Sequence, residues 1–322
     1  MKAFFIALVA STTPFSAPEG ATIDATYKSQ KAPSGATGGC ILFTGDILLD
    51  RGVRTVIDKH GMHHLFTPQM DSLLRASQAV VGNLECPATK TKAPMQKRFI
   101  FRAEPEWLKV LRQHGFTHLN LANNHSIDQG RQGLLDTKEN IRKAGMTPVG
   151  AGRNMQEAAQ PVLLCTHPRK VWLVPSLRLA LENYTYLPEK ACVSQEPMES
   201  VILRVRQLKK ADPQAVVIVS LHWGGEHTLK PVPSQRLEAH RLINAGADAL
   251  ICHHTHTLQT IENYRGKPIY YSIGNFIFDQ QKPLNSKACV VKVEVTKSQV
   301  KTTTIPIQIK NCVPIPIFWL NR

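Results

Sequence analysis

Five times in this chain an apolar run of strand length stops at side chains that can bind a metal. The segments are "FTGDILLD" with Asp46 and Asp50, "VGNLEC" with Asn83 and Glu85, "LANNHSID" with Asn123, Asn124 and His125, "SLHWGGEH" with His222, Glu226 and His227, and "ICHHTH". In open α/β sheets, ligands bind outside the carboxyl ends of the strands, so five unrelated strand ends of this composition point to one shared site. Each piece alone has a plainer reading. Asp46 after Gly45 could cap a helix, Asn123 and Asn124 could serve a turn, and Glu85 could pair with a lysine.

The densest of these segments is "ADALICHHTHTLQTIENY", residues 247–264. Side chains two apart in an extended segment project to the same side, so His254 and His256 are expected to hold one object between them while His253 faces away. Taken together, the donors are two carboxylates, an amide and three imidazoles. This mixed oxygen and nitrogen set suits two divalent transition-metal ions (manganese, iron or zinc) and suits calcium or a thiolate site poorly. Such a pair lowers the pKa of a shared water and neutralises charge at a phosphorus under attack. Glu85 is the natural bridging carboxylate, and His125 is left unligated to serve the leaving group.

The run of elements around these segments is an α/β rhythm. "CILFTGD", "AVVGNLE" and "THLNLANNH" read as strands; "EPEWLKVLRQHG" and "GLLDTKENIRKAG" read as helices, with helical turns expected between Arg54 and Arg75. Later, "ESVILRVRQLKKA" and "PSQRLEAHRLINAG" give helices that alternate with the strands "AVVIVSLHWG" and "ADALICHH". A series of β-branched strands, "TLQTIENY", "KPIYYSIGNFIF", "KACVVKVEVT" and "KTTTIPIQIK", closes the chain. Between them, "LENYTYLPEKACVSQEP" is an irregular excursion of the kind that shapes a pocket. βα units followed by antiparallel strands predict two packed sheets flanked by helices in one domain, residues 40–322.

Composition narrows the partners. The 39 Lys and Arg against 24 Asp and Glu give a formal net charge of +15, which favours an anionic substrate or polymer. The clearest basic cluster, "TKTKAPMQKR", is too short and too poor in aromatics to be a nucleic-acid platform, and it reads as a solvated loop. Residues 1–21 have the order of a secretory signal, one lysine before an apolar run and then small residues, so an exported, periplasmic or extracellular protein is expected, with residues 22–39 as a linker. The 7 cysteines contain no C-x-x-C pair, and their odd number resists a neat disulfide framework.

The blocks "GDILLDRG", "VGNLECP", "LNLANNHSIDQGRQGLLDT", "VIVSLHWGGEH", "GADALICHHTHTLQTIENY" and "IYYSIGNFIFD" resemble, in order, the signatures of the CapA-like family, named for poly-γ-glutamate capsule synthesis. The resemblance implies a branch of the calcineurin-like metallophosphoesterases, with a four-layer α/β/β/α sandwich and a dinuclear metal centre. By motif it implies Asp46, Glu85, Asn124, His222, His254 and His256 as metal ligands and His125 as the catalytic imidazole. It also implies a place for Asn275 beside the site. Arg51 and Arg102 are candidates to clamp an anionic substrate. One departure stands out: the wider superfamily has a histidine two residues after its first aspartate, and here that residue is Leu48, which ligates nothing. The implied function is an exported metal-dependent hydrolase in capsule or envelope metabolism, working with envelope-associated capsule machinery. The alternative is a binding or export factor for an anionic polymer that keeps the metal fold without turnover.

Overall fold

The computed structural model describes residues 39–280 and 282–317. The expected signal segment, and the expected linker up to residue 38, lie outside the described residues. The first half of the fold runs β1 (Gly39–Ile47), α1 (Arg51–His60), α2 (Pro68–Arg75), β2 (Ala79–Leu84), α3 (Trp107–Gln113), β3 (His118–Asn120), α4 (Gly130–Lys143) and β4 (Thr147–Val149). Then come β5 (Ala151–Gly152), α5 (Met155–Ala158), β6 (Val162–Cys165), β7 (Val171–Leu177), β8 (Cys192–Val193), α6 (Met198–Ala211), β9 (Val216–His222), α7 (Pro233–Ala245) and β10 (Ala249–Ile251). The chain finishes with β11 (Ile261–Tyr264), β12 (Lys267–Tyr270), β13 (Asn275–Ile277), β14 (Lys287–Val295), β15 (Val300–Lys310) and β16 (Val313–Pro316).

Two large sheets result. The first has the order β16-β15-β14-β1-β2-β3-β4, with β13 also paired to β1; the second has the order β11-β12-β10-β9-β7-β6. Strands β1 to β4 run parallel, whereas β14, β15 and β16 form an antiparallel meander on the same sheet. The alternation along β1 explains how the layers stack. Ile41 and Phe43 share a buried cluster with Leu173, Val216, Ile218 and Ile251 of the second sheet. Leu42 points the other way, into a cluster with Val53, Met70, Leu108 and Leu134 of the flanking helices. On the far face of the second sheet, Val217, Val219 and Leu250 pack against Val201, Val205 and Leu242 of α6 and α7. Strands buried on both faces read as continuous apolar runs, as these do.

The helices around the site begin where the side chains cap them. Asp50 accepts from the backbone N–H of Arg51 at 2.9 Å, so α1 starts at Arg51, ahead of the turns expected from Arg54. The strand expected from "TLQTIENY" is confined to residues 261–264. After Ile251 the backbone also leaves the extended form: His254 has φ 99° and His256 φ 56°. The expectation that these two histidines share a side because they sit two apart in a strand is therefore corrected, since left-handed loop residues do not alternate.

Asp46 owes its aim to a crowded crossing. Register shifts on either side of it mark a bulge, a device that redirects a side chain, and it lies opposite Asn83 on β2 and Asn275 on β13. Its neighbour Gly45 tolerates no side chain, because a Cβ there would stand 2.1 Å from the Gly274 carbonyl oxygen. Gly45→Ala is therefore expected to cost about 1–3 kcal/mol in urea unfolding and to lower the metal bound per chain, because Asp46 and Asn275 flank the clash. Wild-type stability and metal content in this variant would contradict the packing described.

Candidate metal centre

The carboxyl ends of both sheets meet at one edge. The first sheet brings oxygen donors: Asp46 on β1, Glu85 directly after β2, and Asn124 after β3. The second brings imidazoles: His222 as the last residue of β9, and His254 and His256 in the loop after β10. Trp223 fixes the end of β9 by burying its indole and donating Nε1–H to the Tyr271 carbonyl at 3.1 Å.

Two groups of potential ligands form, and Glu85 belongs to both. One joins Glu85, His222 and His254, and the other joins Asp46, Glu85 and His256; within each group the donor atoms lie within 4.8 Å of one another. In the first, His222 Nε2 stands 2.8 Å from Asn124 Oδ1, 3.2 Å from His254 Nδ1 and 3.5 Å from Glu85 Oε1. In the second, His256 Nδ1 is 3.2 Å from Asp46 Oδ2, and His256 Nε2 is 3.9 Å from Glu85 Oε1. His254 and His256 thus serve different groups, with ring centroids 6.2 Å apart, rather than one shared object.

The residues fit a pair of cations. Asp46 and Glu85 are fully buried; Asp46 is met by Asn83 and by the His256 ring, whereas neither oxygen of Glu85 has a hydrogen-bond partner. An unpaired buried carboxylate is too costly to persist as such, and it must be neutralised by a proton or a cation. Donors of nitrogen and oxygen with no thiolate fit divalent transition metals.

The electrostatics agree with this need. Burial first, and then the charge of Asp46, push the Glu85 carboxyl up to about 8. Burial also acts to raise Asp46, but the His256 ring beside it and the charges of His253, His256 and His222 outweigh that and hold it well below the usual carboxylate range. Burial opposes protonation of His256, yet Glu85 and Asp46 overcome it and raise the ring to about 9. His254 is driven down to about 2 by burial and by His222 and His256, and burial holds His222 well below its ordinary value. Free of cations, the cluster stores protons on Glu85 and His256 and keeps two imidazoles neutral, the form that binds metal.

His125 lies beside these groups and belongs to neither. Its Nδ1 is 2.8 Å from Asp128 Oδ2, and its ring packs on Phe101 at 4.3 Å. Asn123 acts as a turn residue: its Oδ1 accepts from the backbone N–H of His125 and of Ser126. Asn83 donates to Asp46 Oδ1 at 2.8 Å and fixes that carboxylate from behind.

The remaining candidates fall into distinct places. Asn275 Oδ1 is 2.9 Å from His256 Nδ1, so it fixes the orientation of that ring. Arg51 pairs with Asp279 and lies over Phe101 and Phe278, whose rings pack on His125 and His256. That puts a guanidinium at the rim. Arg102 is committed to Glu104 at 2.6 Å and to the Thr89 carbonyl at 2.9 Å. Leu48 is fully buried in the apolar core, and Asp50 is spent on capping α1 and on Arg54, so neither replaces the superfamily histidine. Glu226 and His227 are exposed and outside both groups. Two further residues touch the site without a ligand motif of their own: Asp128, whose place three residues after His125 is a local signal, and Lys97, for which the sequence carries none.

Comparison with known proteins identifies the family and the fold. The family model described as "Bacterial capsule synthesis protein PGA_cap" matches residues 40–280. The PGA biosynthesis protein CapA of Bacillus subtilis (strain 168) is 32% identical over 284 residues, covering 85% of this chain and 73% of that protein. The capsule biosynthesis protein CapA of Bacillus anthracis is 30% identical, covering 85% and 68%. Among solved structures, a putative 5'-nucleotidase from Staphylococcus aureus superposes with TM-score 0.53 at 11% identity, covering 87% of this chain and 54% of that one. A hypothetical protein from Thermus thermophilus does so with TM-score 0.51 at 13% identity, covering 84% and 100%; both likenesses are of fold alone. A family match over three-quarters of the sequence, together with a relative above 30% across most of its length, places this chain in the bacterial capsule synthesis protein PGA_cap family.

Proposed function

We propose that this protein is an exported, metal-dependent hydrolase of phosphoesterase type that acts in capsule or cell-envelope polymer metabolism, built on a four-layer α/β/β/α sandwich of metallophosphoesterase type. The observation that carries the reading is Glu85, a buried carboxylate with both oxygens unpartnered and shared by two ligand groups. Asp46, Asn124, His222, His254 and His256 would complete the hold on two divalent ions. Bound there, such ions supply Lewis acidity to a phosphoryl or carbonyl centre and to an attacking water.

The chain's own groups do the rest. Asp128 holds Nδ1 of His125, which turns Nε2 toward the leaving group and lets the ring deliver a proton to the departing oxygen. Phe101 fixes the plane of that ring. Arg51 at the rim, held on one side by Asp279, would offer its remaining N–H groups to the anionic part of the substrate, and the net positive charge of the chain favours such a partner.

A second reading, a polymer-binding or export factor without turnover, draws on Leu48 at the superfamily histidine position and on the biosynthetic names of the relatives. Turnover separates the two. Protein purified without chelator is expected to carry transition metal and to hydrolyse p-nitrophenyl phosphate or its bis-ester with manganese. In His125→Ala, kcat should fall by about 10²–10⁴ while metal content stays at the wild-type level. Metal-loaded wild type that binds polycarboxylate yet cleaves no ester or amide would leave the second reading standing.

Proton storage makes a second prediction. Glu85 is raised from 4.5 to about 8 and His256 from 6.5 to about 9, while the lowered His222, His253, His254 and His118 are neutral in both states once the pH is well above 6.5, so between about pH 7.5 and 9 the native metal-free protein binds more protons than the unfolded chain. Stability of the metal-free protein should therefore fall as pH rises through that window, since the native form is the one that loses its protons reluctantly. Metal displaces those protons, so the metal-loaded protein should lack this decline, and metal affinity should rise over the same range. Thermal unfolding of both forms from pH 6 to 9 checks this; parallel curves would count against the site.

A further inference from the structure

The basic stretch Thr89–Arg98 holds one lysine that solvent barely touches. Lys92 and Arg98 are exposed, but the side chain of Lys97 is 3% exposed. Its Nζ donates to Asp128 Oδ1 at 2.5 Å and to the backbone carbonyl of Asn124 at 2.8 Å. A buried ammonium persists only where acceptors replace its water, and here the acceptors belong to two different parts of the site. Asn124 supplies the amide oxygen beside His222, and Asp128 is the carboxylate that holds His125.

Asp128 is also where the surrounding strap is fastened. Its backbone carbonyl accepts from Met95 N–H at 2.9 Å, and its Oδ2 accepts from Phe101 N–H at 2.8 Å. Lys97 lies between these two fastenings, and Phe101 packs on the His125 ring. Outside the strap, the excursion after β7 leans on it: Glu182 accepts from Arg98 N–H, and Asn183 donates to the Gln96 carbonyl.

From this geometry we infer that Lys97 is a positioning residue of the hydrolytic site, tying the Asn124 metal ligand to the Asp128–His125 pair so that amide and imidazole keep one fixed relation. The inference rests on the reading of this site as a metal-dependent hydrolase. Its ammonium balances the Asp128 carboxylate, which stays an acceptor for His125, and it pins the Asn124 backbone that aims the amide. Without it, the ligand and the proton donor are free to shift independently.

The test compares wild type, Lys97→Met, Asp128→Asn, the double variant Lys97→Met/Asp128→Asn, and Lys92→Met as an exposed control on the same strap. Readouts are manganese affinity by equilibrium dialysis, kcat and KM on p-nitrophenyl phosphate, and unfolding temperature. Removing a supporting group of this kind costs about 10–100-fold in metal affinity or activity. Lys97→Met is expected to weaken manganese binding and to lower kcat at saturating metal within that range, with KM changed less than about threefold. Because Lys97 acts partly through Asp128 and partly through the Asn124 backbone, the double variant should lose more kcat than Asp128→Asn alone but less than the two single losses combined. The double variant also removes both buried charges, so it keeps the test valid if Lys97→Met does not fold. Lys92→Met should match wild type throughout. Additive losses in kcat, or unchanged metal affinity and kcat in folded Lys97→Met, would overturn the inference. Should wild type bind manganese yet hydrolyse nothing, the hydrolase reading fails, and manganese affinity alone decides whether Lys97 positions Asn124.

Discussion

The centre of this structure is organised by one carboxylate that has nowhere to put its charge. Glu85 is fully buried, its two oxygens lack partners, and the Asp46 carboxylate beside it makes ionisation harder still. Hydrogen-bond donors could have been placed there, as Asn83 is placed behind Asp46, but the side chains that face Glu85 are histidines. Two of the site's imidazoles, His222 and His254, are held neutral by burial. A buried carboxylate without a hydrogen-bond partner, set beside neutral imidazoles, is unstable alone and well matched to divalent cations.

That arrangement is a product of the two-sheet core. Oxygen donors come from the ends of β1, β2 and β3, and imidazoles from the ends of β9 and β10, so neither sheet carries a complete ligand set. What brings the halves together is the apolar interface of Ile41, Phe43 and Val81 with Leu173, Val216 and Ile218. Packing there sets the distance between the ligand groups to within the tolerance of close-packed side chains. Behind the ligands stands a shell of amides: Asn83 on Asp46, Asn275 on His256 and Asn123 under His125. These hold rotamers that a metal alone would not fix.

Much of this was legible in the sequence because strand-end chemistry is local. An apolar run followed by Asp, Glu, Asn or His can be seen without knowing where the run packs, and the ligand candidates Asp46, Glu85, His222, His254 and His256 all enter the two groups. The path to His254 and His256 was misread, since spacing of two implies one side only in an extended chain and both residues adopt positive φ. Lys97 was hidden for a different reason: composition marked its neighbourhood as solvated, and only the fold reveals that one ammonium turns inward to Asp128. Arg102 looked like an anion clamp in sequence and is occupied by Glu104, a partner two residues away. Local patterns show which residues can do chemistry; long-range contacts decide which of them are free to do it.

The account stands on Glu85 bridging two cations. Anomalous diffraction from crystals grown with manganese tests this directly. Two peaks are predicted, one beside His222 and His254 and the other beside Asp46 and His256, with Glu85 between them. Absence of any peak at this edge of the sheets, or a single peak out of reach of Glu85, would contradict it.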